Sequence, residues 1–402
     1  MSSSPKPAGD RGRQILLKVG LLLALGVVVR NAVAGDSGAL VAGLAGGLGA
    51  LLSLQLSMVW VLVGGRFSGF AVTAVEFGYG RRLLSTRIGG VPVGVRRLPF
   101  PFMSVVWAPI RRPGLRWRLV VSALLQLAVQ IGTGLWLLDS APAWAFPGAV
   151  AFLVFAVVML ATFSLPLTIG WVLFRMPFLP AEALATYALR PGEEHAARAL
   201  RDGRIEDARA ALERVADDGA PGFQSHLVHA GVDLAEGRYT EAAVEVNRAL
   251  EAKPHPRYAA IAVGLRTASL VGAAETGTLP VTQAVPWLGQ TVELLRTWNP
   301  MLLRSLAATA DLALLENRRE EALKLAGKAA VRTVDRFWEA HAACSHAAAL
   351  ASVGRPEQAR AELDRARRAM PGLARIALVE RRIELNVIEV DGPVVGAGSA
   401  TS

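Results

Sequence analysis

The residues able to do chemistry are few, and their positions limit the reactions open to the chain. All six histidines, His195, His226, His229, His255, His341 and His346, lie in the second half, as does the single cysteine, Cys344. His226 and His229 are three apart and could share a helix face, and His341 and His346 are five apart. Zinc takes thiolate, imidazole or carboxylate ligands, and no cysteine partners either pair. Ordinary packed or solvated histidines are therefore expected. Cys344 reads as a small buried residue of an Ala-rich helix, and one cysteine excludes an intrachain disulfide. Residues 1–180 hold no histidine or cysteine, and their acids are Asp10, Asp36, Glu76 and Asp139. Neither a catalytic zinc site, a Ser–His pair nor an intramembrane aspartyl pair can be built from these groups. No cofactor is expected.

The elements around these residues explain why they are so sparse. The chain has 402 residues, of which 52% are hydrophobic and only 19% charged. Its mean hydropathy is +0.38. Soluble chains carry about a quarter charged residues. Residues 1–180 contain 16 Lys/Arg against 4 Asp/Glu, while the remainder contains 27 against 29. The formal charge of +10 therefore belongs to the apolar half, where it points to membrane orientation rather than nucleic acid.

Four apolar runs are candidate spans: 15–29, 40–63, 119–138 and 149–173. Crossing a bilayer takes about 20 helical residues. The tail 1–14 and the segment 66–118, with its ten arginines, are basic, whereas the loop after 138 carries Asp139 and no base. This pattern predicts four spans with both termini cytoplasmic, in the plasma membrane. The alternative for the first run is a leader cleaved near Ala32-Val33-Ala34. The last three runs contain no ionisable group, which disfavours a transporter or ion pathway. Gly43, Gly46, Gly47 and Gly49 would let helices of the bundle approach closely.

Segment 66–118 reads as a cytoplasmic β/loop insert at the membrane face. Residues 71–77 are rich in β-branched and aromatic side chains, Gly78-Tyr79-Gly80 is a turn, and 83–95 repeats the pattern around Gly89-Gly90. Pro99, Pro101, Pro109 and Pro113 break anything longer. Its arginines either set topology or contact anionic lipid headgroups, at ~1 kcal/mol each near the surface.

This stretch resembles the site-2 protease family of intramembrane zinc metalloproteases. Leu62-Val63-Gly64-Gly65-Arg66-Phe67-Ser68-Gly69-Phe70 leads from an apolar helix into a strand. Gly78-Tyr79-Gly80 follows, and Leu98-Pro99-Phe100-Pro101 stands where that family has its Pro-Gly loop. The resemblance covers residues 40 to about 175. It implies a His-Glu-x-x-His motif at Ser57-Met58-Val59-Trp60-Val61. There Ser57 and Val61 occupy the ligand positions and Met58 the general-base position, and none of them can ligate zinc or accept a proton. The resemblance thus implies a pseudoprotease, a non-catalytic relative. The alternative is an active metalloprotease with an atypical site.

From 180 to 388 the chain is Ala/Leu/Glu/Arg-rich. Gly203-Arg204-Ile205-Glu206-Asp207-Ala208 recurs 34 residues later as Gly237-Arg238-Tyr239-Thr240-Glu241-Ala242. This segment resembles a tetratricopeptide repeat domain, an α-solenoid of helix–turn–helix units. Ala249 and Pro254 complete the second unit. Ala322 marks a third, and Gly354, Ala359 and Pro371 a fourth. Residues 256–299 lack the signature and are expected to form an irregular helical pair. The resemblance implies a concave face that binds a protein. The tail 389–402 is Gly/Ala/Ser-rich and is expected to be disordered. The fold class expected is mainly α: a polytopic helix bundle with a β insert, then the solenoid. The expected function is a membrane scaffold for protein–protein interaction with no nucleic acid partner.

Overall fold

The computed structural model describes residues 37–162, 165–215, 220–330, 333 and 335–391. They form two compact units, one from Met1–Trp60 with Val121–Arg175 and one from Val61–Val120 with Met176–Ser402.

The first unit takes most of α1 (Ser37–Ser68) and of α2 (Leu115–Ser140), with α3 (Phe146–Leu160) and α4 (Ile169–Phe174). Two stretches, Leu40–Gly65 and Leu115–Ser140, are long and apolar enough to cross a membrane, each 26 residues. The expected run 149–173 is not one helix. It divides into α3, of 15 residues, and α4, of 6. Pro166 cannot donate to a helix ladder, Leu167 takes φ +64, and the Thr168 side chain accepts from the Trp171 N–H to start a new helix. Neither piece reaches the ~20 residues of a span. The run 15–29 and Ala32-Val33-Ala34 lie outside the described residues.

Glycines bring these helices together. A Cβ on Gly49 of α1 would collide with the Gly148 backbone of α3, and one on Gly134 of α2 with Leu153. Gly47 faces open space, so only part of the expected glycine stripe is used.

In the second unit, β1 (Phe70–Ile88) and β2 (Val91–Pro109) pair antiparallel about Gly89-Gly90, both glycines with positive φ. Near its middle β1 is flanked twice. Val75, Glu76 and Phe77 pair with Val105, Ser104 and Met103 on one side and with Val93, Gly94 and Val95 on the other. The second set runs parallel, so each long strand reverses within itself. β1 turns between Phe77 and Leu84, where Gly78 has φ +88, and β2 turns between Val95 and Met103, across Pro99 and Pro101. The prolines thus lie where no ladder N–H is needed.

The helices after Pro180 pair in succession: α5 (Ala181–Ala185), α6 (Glu193–Arg201), α7 (Ile205–Glu213), α8 (Phe223–Ala235), α9 (Tyr239–Glu251), α10 (Pro256–Glu275), α11 (Val281–Trp298), α12 (Pro300–Ser305), α13 (Ala308–Leu315), α14 (Arg319–Ala330), α15 (Arg336–Ser352), α16 (Pro356–Ala369) and α17 (Arg375–Asp391). The same turn ends the first helix of four pairs. Gly203, Gly237, Asn317 and Gly354 all take positive φ. The next residue donates its N–H to the carbonyl five residues back: Arg204 to Ala199, Arg238 to Asp233, Arg318 to Ala313 and Arg355 to Leu350. This is the Schellman motif, which satisfies carbonyls a helix end leaves open. In the irregular pair α10–α11 the turn is longer, with Gly277 at φ +76 and Leu279 N–H bonded to Ala273. Ala208, Ala242, Ala322 and Ala359 enter each second helix fully buried. Pro254 and Pro371 follow helix ends. The helix α17 continues to Asp391, into the expected tail, whose remainder lies outside the described residues.

The last helices return to the first. The Ala374 N–H donates to the Ala235 carbonyl at 2.9 Å, and a Cβ on Gly203 would strike the Ala369 carbonyl. Gly203→Ala therefore costs left-handed strain of about 1–2 kcal/mol plus this collision. Gly354→Ala, with φ +74 and nothing near the new methyl, costs the strain alone. Thermal unfolding of the full chain in detergent should fall further for Gly203→Ala than for Gly354→Ala.

Candidate functional site

Three groups of polar side chains are brought together. The first lies between the apolar helices. Gln130 Nε2 donates to Ser57 Oγ at 2.6 Å and to the Ser53 carbonyl at 3.1 Å, and Ser57 Oγ donates to the Ser53 carbonyl at 3.2 Å. Gln130 is fully buried. Trp60 Nε1 donates to Ser122 Oγ at 3.1 Å. Ser57 is thus part of an amide–hydroxyl knot between two helices, while Met58 is half-buried and Val61 buried one turn on. Hydroxyls and amides can bind a neighbouring polar group but hold no proton-accepting charge.

The second group joins the β insert to the helical array. Glu76, the lone acid of the insert, is buried and clamped by Arg82 and, at 3.1 Å, by Arg96. Burial raises its carboxyl pKa, and the two arginines pull it back down without cancelling the rise. Arg82 also reaches Glu339 of α15 at 3.2 Å, and Arg96 donates to the Thr333 carbonyl. Arg87 pairs with buried Asp202, and Arg198 Nε donates to the Val72 carbonyl at 2.8 Å. At the base, Leu189 pairs with Ile110, with Leu189 N–H to Pro109 O at 2.8 Å and Arg111 N–H to Leu189 O at 2.7 Å. Several arginines expected to face lipid or only to set topology are thus bonded within the protein. Sequence reasoning missed this because nothing in spacing pairs residues 82 and 339.

The third group fills the inner side of the array. Arg375, 2% exposed, donates to Glu275 of α10 at 2.8 Å, to Asp311 of α13 at 2.9 Å and to Ser345 Oγ of α15 at 2.8 Å. Burial raises the Asp311 carboxyl, with Arg375 opposing. Burial also pushes the Cys344 thiol and the Tyr239 hydroxyl up to about 12, so neither ionises near neutrality. Arg375, at the start of α17, thus ties together α10, α13 and α15.

The histidines separate. His226 contacts Glu245 at 2.7 Å, His229 lies 3.7 Å from Glu193, and His346 lies 3.5 Å from Glu362. His255 caps α10 and His195 is exposed. Burial raises the Glu193 carboxyl, but hydrogen bonds from His229, Ser225 and Arg190 outweigh it and hold it at about 2. His341 is buried against Phe337 and Trp338, ring centroids 4.7 and 5.9 Å away, with no hydrogen bond to either ring nitrogen. Among the described residues no three His, Cys, Asp or Glu side chains could hold a metal ion. No protein-family profile matches the chain, and no curated protein does.

Two predictions follow from the inner cluster. Truncating Arg375→Met leaves two buried carboxylates without their counter-charge and should cost about 3–5 kcal/mol, read as denaturant unfolding of the full chain. Burial, then Arg375, holds His341 down at about 3 against 6.5 when unfolded. The folded state thus binds this proton more weakly. The stability it contributes is whole above pH 6.5 and is lost as pH falls toward 3, with a limiting slope of about 1.4 kcal/mol per pH unit. His341→Phe should remove that slope and raise the melting temperature at pH 7; an unchanged pH profile would contradict the assignment.

Proposed function

We propose that the chain is an integral membrane protein that recruits a protein partner through its helical domain, its membrane half a site-2-protease-like scaffold without catalytic groups. One observation carries the membrane reading: the first unit is inside-out. It exposes Leu44, Leu48, Leu52, Val121, Leu125, Leu135 and Val154 while burying Ser53, Ser57, Ser122, Gln126 and Gln130. A soluble bundle would bury the leucines, whereas helices in lipid associate through small and polar residues. The arginine-rich insert between α1 and α2 fits a cytoplasmic, headgroup-facing position. The order of helix, glycine, strands, proline-rich turn and helix supports the protease-like reading.

We assign the recruitment to an exposed apolar face of the helical array. Trp287 and Leu294, one heptad apart on the irregular pair, remain 45% and 37% exposed. A photo-crosslinking residue at position 287 should give a discrete protein adduct in cells, and one at exposed Glu357 on α16 should not. Absence of any adduct from 287 would count against this face. Purified protein in liposomes with zinc and a transmembrane test substrate should leave the substrate intact. Cleavage would instead establish the active metalloprotease.

A further inference from the structure

Between the β insert and the pair α15–α16 lies an open cleft of about 310 Å³. Arg82 and Ser85 line it from β1, Arg336 and Glu339 from α15, and Arg365 and Arg368 from α16. Four guanidinium groups thus face a single carboxylate. That carboxylate is already bridged, by Arg82 at 3.2 Å and Arg365 at 3.1 Å. Arg336 donates from Nη1 to the Asp202 carbonyl at 3.3 Å, and its nearest acid, the Asp202 carboxylate at 3.9 Å, is shared with Arg87 and Arg204. Arg368 is exposed and makes no ion pair among the described residues. The lining itself therefore sets four guanidinium groups, always protonated, against one carboxylate, and although Arg82 and Arg365 find further acids outside it in Glu76 and Glu362, the cleft remains rich in N–H donors.

We propose that this cleft binds a phosphomonoester. Planar guanidinium forks match phosphate oxygens bidentately, and a phosphomonoester offers enough oxygens to accept from several guanidiniums at once, which one carboxylate does not. Glu339 holds Arg82 and Arg365 in position, Arg368 and the N–H groups of Arg336 other than the one given to the Asp202 carbonyl supply donors, and Ser85 Oγ adds a hydroxyl. Three of the four arginines belong to the helical array, so this site is distinct from a general attraction of the insert to anionic lipid. The phosphate could be carried by a soluble metabolite or by a lipid headgroup, and the same chemistry serves both.

The test uses the full chain in a neutral detergent. Glycerol 3-phosphate and a short-chain phosphatidic acid are titrated separately, with binding read by calorimetry and by the shift in melting temperature. At least one probe should bind saturably, and the double variant Arg336→Gln/Arg368→Gln should weaken it tenfold or more. Arg360→Gln, on an exposed pair with Glu357, should leave it unchanged. Binding of glycerol 3-phosphate marks a soluble ligand, and binding of phosphatidic acid alone marks a lipid. The melting temperature of the double variant without probe should lie close to the parent's, since neither arginine holds Glu339 and Arg336 gives up one contact, Nη1 to the Asp202 carbonyl at 3.3 Å. Failure of both probes to bind, or binding undiminished in the double variant, overturns the proposal.

Discussion

A charge taken out of water must find its opposite, and in this protein that requirement ties distant segments together. Arg375 is almost wholly buried, and its guanidinium is answered by Glu275 and Asp311 on two other helices. The cost of burying an ion is several kcal/mol, repaid only when its partners are well placed. The N-terminal turn of α17 is therefore held at one position, beside α10 and α13. That position sets the approach of Ala374 to Ala235 and of Ala369 to Gly203, so the first and last helices meet.

The same rule shapes the β insert. A two-stranded ribbon is weak by itself. This one buries a carboxylate, Glu76, and answers it with two arginines that also reach Glu339 and the Thr333 carbonyl. Glu76 sits so close to Gly94 that a methyl group there would displace its carboxylate. The insert and the helical array consequently share one compact unit, joined by ion pairs and by the Leu189 bridge rather than by a large apolar face.

Where charges are absent, the logic inverts. The long helices α1 and α2 carry no acid or base between residues 40 and 63 or between 119 and 138. Their interior polar groups are hydroxyls and amides that bond across the helices, as Gln130 Nε2 does with Ser57 Oγ and the Ser53 carbonyl. Such groups can join helices where water is scarce. The surface they leave outward is leucine and valine.

Much of the local structure was legible in the residues themselves. A helix end that needs positive φ selects glycine, so Gly203, Gly237 and Gly354 announce their turns, and the alanines that follow announce the close crossing of paired helices. Asn317 performs the same turn without glycine, which blurred the third unit. Long uncharged runs announced α1 and α2, but run length did not reveal the break at Pro166–Thr168, because apolar composition is the same on both sides of it. The tertiary structure alone decided which arginine meets which acid, that Arg375 joins three other helices, and that four guanidiniums share one cleft. Periodicity and propensity act over a few residues, whereas Arg82–Glu339 and Arg375–Glu275 join positions far apart in the chain, whose meeting depends on the whole packing.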